Sequence, residues 1–205
     1  MAKAWVSTSV CSCNGSRRYS DANTITGKEG DELLGLLDGL PLALAQAAAY
    51  MSETGTGFSI YIRLYKEQWR ELMEPHNSRG MPLRNYANGS VATTWTISYT
   101  AVRARNEAAA NLLLLWAHLD NKSLWHGLLA AASHNSTVAA EQTAVWLGQM
   151  ARSEVEFINA IRTLRNYSLV EEAGDQTGHS THTVVHQWAL HIHCLLYTSP
   201  SPRDS

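Results

Sequence analysis

Apolar residues recur at helical spacing along most of the chain. Leu33, Leu34, Leu36, Leu37 and Leu40 cluster on one side of a helix that begins near Asp31, and Asp38-Gly39 then marks a turn. Pro41 restarts a helix, because a proline in the first turn lacks only an N–H that would have had no partner there. The alanines from Ala43 to Ala49 are strong helix formers with small side chains that admit a close neighbour. A third helix is predicted from about Ser59 to Met73, with Tyr61, Leu64, Tyr65 and Leu72 inward and Pro75 beyond its acidic end. The polar stretch over 76–90 is too long for an ordinary loop inside a compact domain, so it reads as a linker between two small domains, 31–75 and 91–193.

The second domain opens with Ser90 as N-cap and with Val91, Trp95, Tyr99 and Val102 about one helical turn apart. The next helix, about Glu107 to Leu119, is apolar nearly all round and therefore expected to be central and buried. A shorter helix is expected over Leu124 to Ala132, and an amphipathic one around Val145 to Met150. Ser153 and Glu156 match a capping box, and Val155, Ile158, Ile161 and Leu164 form the apolar stripe of the helix it starts, with Asn166 at its end. Tyr167 to Glu172 and His179 to Thr183 read as two strands around a turn at Gly174 to Gly178. A last helix carries Val184, Val185, Trp188, Ala189 and Ile192. The expected fold is mainly α: a helical bundle followed by a winged-helix-like domain with a short β-hairpin.

Both ends break the pattern. Residues 1–30 are rich in Ser, Thr, Asn and Gly without a sustained period, and read as an irregular or mistranslated segment. Cys194 to Asp204 spell CLLYTSPSPRD, which resembles the conceptual translation of a transposase adapter used in short-read library preparation, so 194–205 is set aside from fold reasoning.

Composition narrows the function classes. The 205 residues are 45% hydrophobic and 17% charged, the profile of a globular chain. A net charge of -2 supplies no electrostatic footprint for nucleic acid or for a polybasic membrane anchor. The densest apolar run, Leu112 to Ala117, is far short of a membrane span, and Ser7, Thr8, Ser9 and Ser12 spoil a signal-peptide core. The expected location is the cytoplasm, and Cys11 and Cys13 stand too close together for easy bridging.

Candidate chemistry is sparse. Histidines 179, 182, 186, 191 and 193 form the one conspicuous cluster, with His182 and His186 at i, i+4 spacing. A zinc site needs third and fourth ligands, and Cys194 lies in the set-aside tail, so no metal site is assigned. Glu53, Glu67, Glu71 and Glu74 read as a solvated face with no nucleophile beside them, and the seven tryptophans read as core. Gly27-Lys28-Glu29 lacks both the earlier glycine and the following Ser or Thr of a Walker A loop. No catalytic residue is assigned.

Gly39-Leu40-Pro41-Leu42-Ala43-Leu44 resembles the GLPLA motif of NB-ARC nucleotide-binding switch proteins, which belong to the STAND class. Val91 to Tyr99 (VATTWTISY) and Phe157 to Leu190, with FINAIRTLRNYSLVEEA and HTVVHQWAL, are similar to the winged-helix part of fungal members that carry C-terminal tetratricopeptide repeats. The resemblance covers about Leu33 to His193. It implies that Pro41 packs against adenine. It also implies that His182 takes the role of the MHD histidine, which reaches the β-phosphate of ADP and holds the closed state; Thr181 and Thr183 replace the Met and Asp of that motif.

Phosphate cradling and magnesium binding in the family belong to Walker A and Walker B elements, and neither is found here. The expected product is therefore the regulatory middle of an ADP/ATP-dependent signalling switch, non-catalytic and without a cofactor of its own. Its implied partners are an upstream nucleotide-binding domain and downstream helical repeats. The competing reading is a stand-alone helical or winged-helix interaction module that binds protein or, less favoured, nucleic acid. Against nucleic acid, Arg103, Arg105, Lys122, Arg152, Arg162 and Arg165 are scattered, and Val184 to His193 contains no Lys or Arg.

Overall fold

A computed structural model describes residues 27–73, 90–122, 124–134, 145–173 and 178–198. The described residues are mainly helical, with one two-stranded antiparallel sheet. The chain divides into two compact units between Ser98 and Tyr99.

In the first unit, α1 (Gly27–Leu36) leads into α2 (Pro41–Thr54) and α3 (Phe58–Met73). The turn after α1 is a Schellman motif. Asp38 takes a left-handed φ of 51°, its N–H donates to Gly35 O at 3.3 Å, and Gly39 N–H reaches back to Leu34 O at 3.0 Å. The Asp38-Gly39 pair thus satisfies carbonyls that the helix end leaves free, and Leu40 then starts α2 in extended backbone ahead of Pro41. On α2, Ala43, Gln46, Ala47 and Tyr50 form one buried stripe. α3 packs against both earlier helices, placing Tyr61 against Tyr50 with ring centroids 5.4 Å apart, while the Tyr65 hydroxyl donates to Leu36 O at 3.2 Å. Gly27 to Gly30 form the opening turn of α1, four residues ahead of the expected start, so Gly27-Lys28-Glu29 lies in a helix and not in a phosphate loop.

Tyr61 is fully buried, yet its hydroxyl has no hydrogen-bond partner among the described residues. Burial pushes its ionisation far above the ordinary tyrosine range, so the group stays a neutral, desolvated hydroxyl. A buried polar group without a partner costs stability. The expected outcome of Tyr61→Phe is a gain of about 1 kcal/mol, read as a higher urea midpoint; a lower midpoint shows that the hydroxyl is satisfied.

The helix α4 (Ser90–Arg105) contains the division between the units. Of its hydroxyls, those of Thr94 and Thr96 donate to Val91 O and Ala92 O of their own helix, at 2.7 and 2.8 Å, while the buried Ser98 hydroxyl has no partner among the described residues. The linker expected over 76–90 lies outside the described residues apart from Ser90, the first residue of α4.

In the second unit, Asn106 caps α5 (Glu107–Trp116) by accepting from Ala109 N–H at 3.0 Å. Ala109, Ala110, Leu112, Leu113, Leu114 and Trp116 are all buried, which makes α5 the central helix that its all-round apolarity predicts. Next come α6 (His126–His134), α7 (Val145–Arg152) and α8 (Glu154–Asn166), followed by β1 (Glu171–Glu172), β2 (His179–Ser180) and α9 (Thr183–Thr198). α5 is packed by α7, α8 and α9. Leu124, expected inside a helix, instead forms an isolated antiparallel bridge to His179. β2 therefore lies between Leu124 on one side and β1 on the other, and the helices with one short hairpin make up the mainly α fold expected.

Two local expectations on α8 change. Ser153 Oγ accepts from Glu156 N–H at 3.3 Å, but Ser153 N–H is already committed to Gln149 O of α7, so the return half of the capping box does not form. The buried face is Phe157, Ala160, Ile161 and Leu164, while Val155 is 66% exposed. A strict three-residue spacing drifts by about 60° per step on a helix of 3.6 residues per turn, so Val155 and Leu164 cannot share a face. The left-handed residue that ends α8 is Ser168 (φ 52°), two beyond Asn166, with Leu169 N–H returning to Leu164 O at 3.0 Å.

The expected strands shorten to two residues each, and the turn residues 174–177 lie outside the described residues. Of 194–205, the backbone of 194–198 continues α9, and the rest lies outside the described residues. No described helix is long and apolar enough to cross a membrane.

Candidate functional site

Pro41 and His182 stand in different units, each at the N-terminal end of a helix. Pro41 is the first residue of α2 and is exposed beside Leu40, so the motif offers an apolar corner to solvent. His182 immediately precedes α9 and is also exposed. Its Nδ1 accepts from Val184 N–H at 3.3 Å, filling one of the donors that a helix start leaves unpaired. Because Nδ1 acts as acceptor, the neutral ring carries its proton on Nε2. His182 is thus a helix cap with its other nitrogen set as a donor. Its neighbours Thr181 and Asn121 fix the approach to α9: Thr181 N–H donates to Asn121 O at 3.0 Å, and Asn121 Nδ2 donates to Thr181 O at 3.4 Å.

The other histidines serve separate local contacts. His186 Nε2 donates to Leu119 O at 2.9 Å, so the i, i+4 pair does not act as one site. His193 Nδ1 lies 3.0 Å from His118 Nε2, with the rings edge to face, and burial together with His118 lowers the His193 pKa. His191 is lowered by burial alone. No group of three His, Cys, Asp or Glu residues able to hold a metal ion occurs among the described residues. Of the acidic residues of the first unit, Glu71 accepts from Gln68 at 3.0 Å on the exposed surface of α3.

One concavity escaped the sequence reading. It has a volume of about 440 Å³ and lies where α6, α8 and the hairpin meet. Trp125, Phe157 and Ile158 supply its apolar surface, and Glu154, Glu172, His126 and His179 its polar groups. Trp125 and Ile158 are 45% and 47% exposed, unlike Trp95, Trp116 and Trp188, which are core as expected. His126 Nε2 donates to Met150 O at 3.2 Å, which ties α6 to the end of α7 behind the pocket. Hydrophobicity alone cannot separate a pocket-lining tryptophan from a core one, and Trp125 lies just outside α6 because Leu124 is held in the bridge. Compared with models of protein families, with curated proteins and with solved structures, the chain matches none.

Proposed function

We propose that the chain is the regulatory middle of an NB-ARC-type, ADP/ATP-dependent signalling switch, not itself catalytic. The observation that carries the reading is the helix cap made by His182 Nδ1. Capping uses Nδ1 and leaves the exposed Nε2–H as a donor, which is what contact with a phosphate oxygen requires. The start of α9 adds the positive end of a helix dipole, which is favourable to an anion. The capping role and the nucleotide role thus use different nitrogens of one ring. The GLPLA resemblance and the exposed position of Pro41 add support from the first unit.

In this reading, ADP held by His182 keeps the winged-helix unit against a nucleotide-binding domain, and exchange for ATP releases it for oligomerisation. The phosphate cradle and magnesium ligands belong to that domain. The test begins with long-read sequencing of the transcript on both sides of this chain. A Walker A sequence upstream and helical repeats downstream are expected, and a transcript without the Walker A sequence overturns the reading. In the longer protein, His182→Ala is expected to weaken ADP binding about tenfold or more, the loss of one charge-assisted hydrogen bond. Unchanged ADP affinity removes His182 from the mechanism.

A further inference from the structure

We propose that the concavity between α6, α8 and the hairpin is a binding site for an organic ammonium ion, one positive charge on a small aromatic or branched alkyl body. It shares no residue with the nucleotide reading and does not depend on it. At about 440 Å³ the space suits a small molecule. Its walls combine two features that favour such a cation. Trp125, Phe157 and Ile158 offer an apolar and aromatic surface against which the body packs and the charge meets an indole face. Glu154 and Glu172 add carboxylates, and no Lys or Arg lines the space among the described residues.

Arg165 takes up one Glu172 oxygen at 2.6 Å in an exposed pair. Glu154, in the first turn of α8, has no side-chain cation beside it among the described residues, so its carboxylate stays available to a ligand. His179 does not offset it, because burial and then Arg165 lower its pKa and leave the ring neutral at neutral pH.

The pocket is also held in shape by two glycines. The Trp125 indole lies over the first turn of α6, with Nε1 2.9 Å from the point where a Cβ on Gly127 would stand. Any other residue at Gly127 must displace the ring. At Gly178 a Cβ would come within 3.3 Å of Leu124 O, so this glycine lets the hairpin close on Leu124 and form the pocket wall.

The experiment titrates the full 205-residue chain with phenethylammonium and, in parallel, with its neutral analogue 2-phenylethanol. The readout is the Trp125 indole N–H resonance, assigned by its loss in Trp125→Phe. A saturable shift with Kd below about 5 mM is expected for the cation, with the alcohol at least about tenfold weaker. Glu154→Gln, a surface change at the start of α8, is expected to weaken the cation about fivefold or more. Gly127→Ala is expected to weaken it similarly, with the far-ultraviolet circular dichroism unchanged. Absence of a saturable shift overturns the proposal. So does equal binding of the alcohol, which would make the pocket merely apolar, or cation binding that Glu154→Gln leaves unaltered.

Discussion

Replacing Trp116 by alanine is expected to destabilise the second unit by about 3–5 kcal/mol, a large share of the stability of any small domain. Trp116 is 0% exposed on the central helix α5, which α7, α8 and α9 pack around, so the vacated space has little freedom to collapse. Its indole Nε1 also donates to Asp120 O at 2.9 Å, closing the chain after the helix. Trp116→Phe separates the two contributions. It keeps most of the ring and loses the hydrogen bond, whose acceptor sits on an exposed residue that water can reach, so about 1–2 kcal/mol is expected. Urea unfolding of both variants measures the difference. Equal losses would mean that the hydrogen bond, and not the packed ring, dominates at this position.

The second large effect is expected at Leu37, where alanine should cost the first unit about 2–5 kcal/mol, while Leu40→Ala should fall within about 0.5 kcal/mol of the parent. The two leucines are one helical turn apart in sequence and would share a face if α1 continued. It does not continue. The left-handed Asp38 and Gly39 turn the chain, leaving Leu37 at 0% exposure and Leu40 at 37%. Urea midpoints of the two variants give the comparison, and a loss at Leu40 comparable with that at Leu37 would show that Leu40 is covered in solution.

These leucines mark how far pattern reading carries. The helical character of α2, α3, α5 and α8, and the turn at Asp38-Gly39, were legible because each rests on local chemistry: a first-turn proline, an alanine run, a capping serine, a left-handed corner. The absence of Leu40 from the core was not, since the same turn that was foreseen also redirects it. On α8, a stripe drawn through Val155 and Ile158 missed Phe157, because three-residue steps drift around the helix while burial follows the mixed three-and-four pattern. The bridge from Leu124 to His179 carries no sequence signature, being one residue pair made by tertiary packing. The pocket inherits that illegibility, since the bridge places Trp125 outside α6 and His179 on its wall. His182 was legible as a residue, but its tautomer follows from a hydrogen bond that only coordinates reveal.

That bridge also ties distant parts of the second unit together. Leu124 and His179 exchange two backbone hydrogen bonds, each 2.9 Å, across all the chain that forms α6, α7, α8 and β1. The pairing of β1 with β2 spans only a few residues of chain, whereas the bridge draws together the ends of a much longer stretch, which costs more chain entropy. Packing of the intervening helices shortens that stretch and lowers the cost of closing it. The segment before α6 is thus a latch whose two halves are brought together by the helices packed between them.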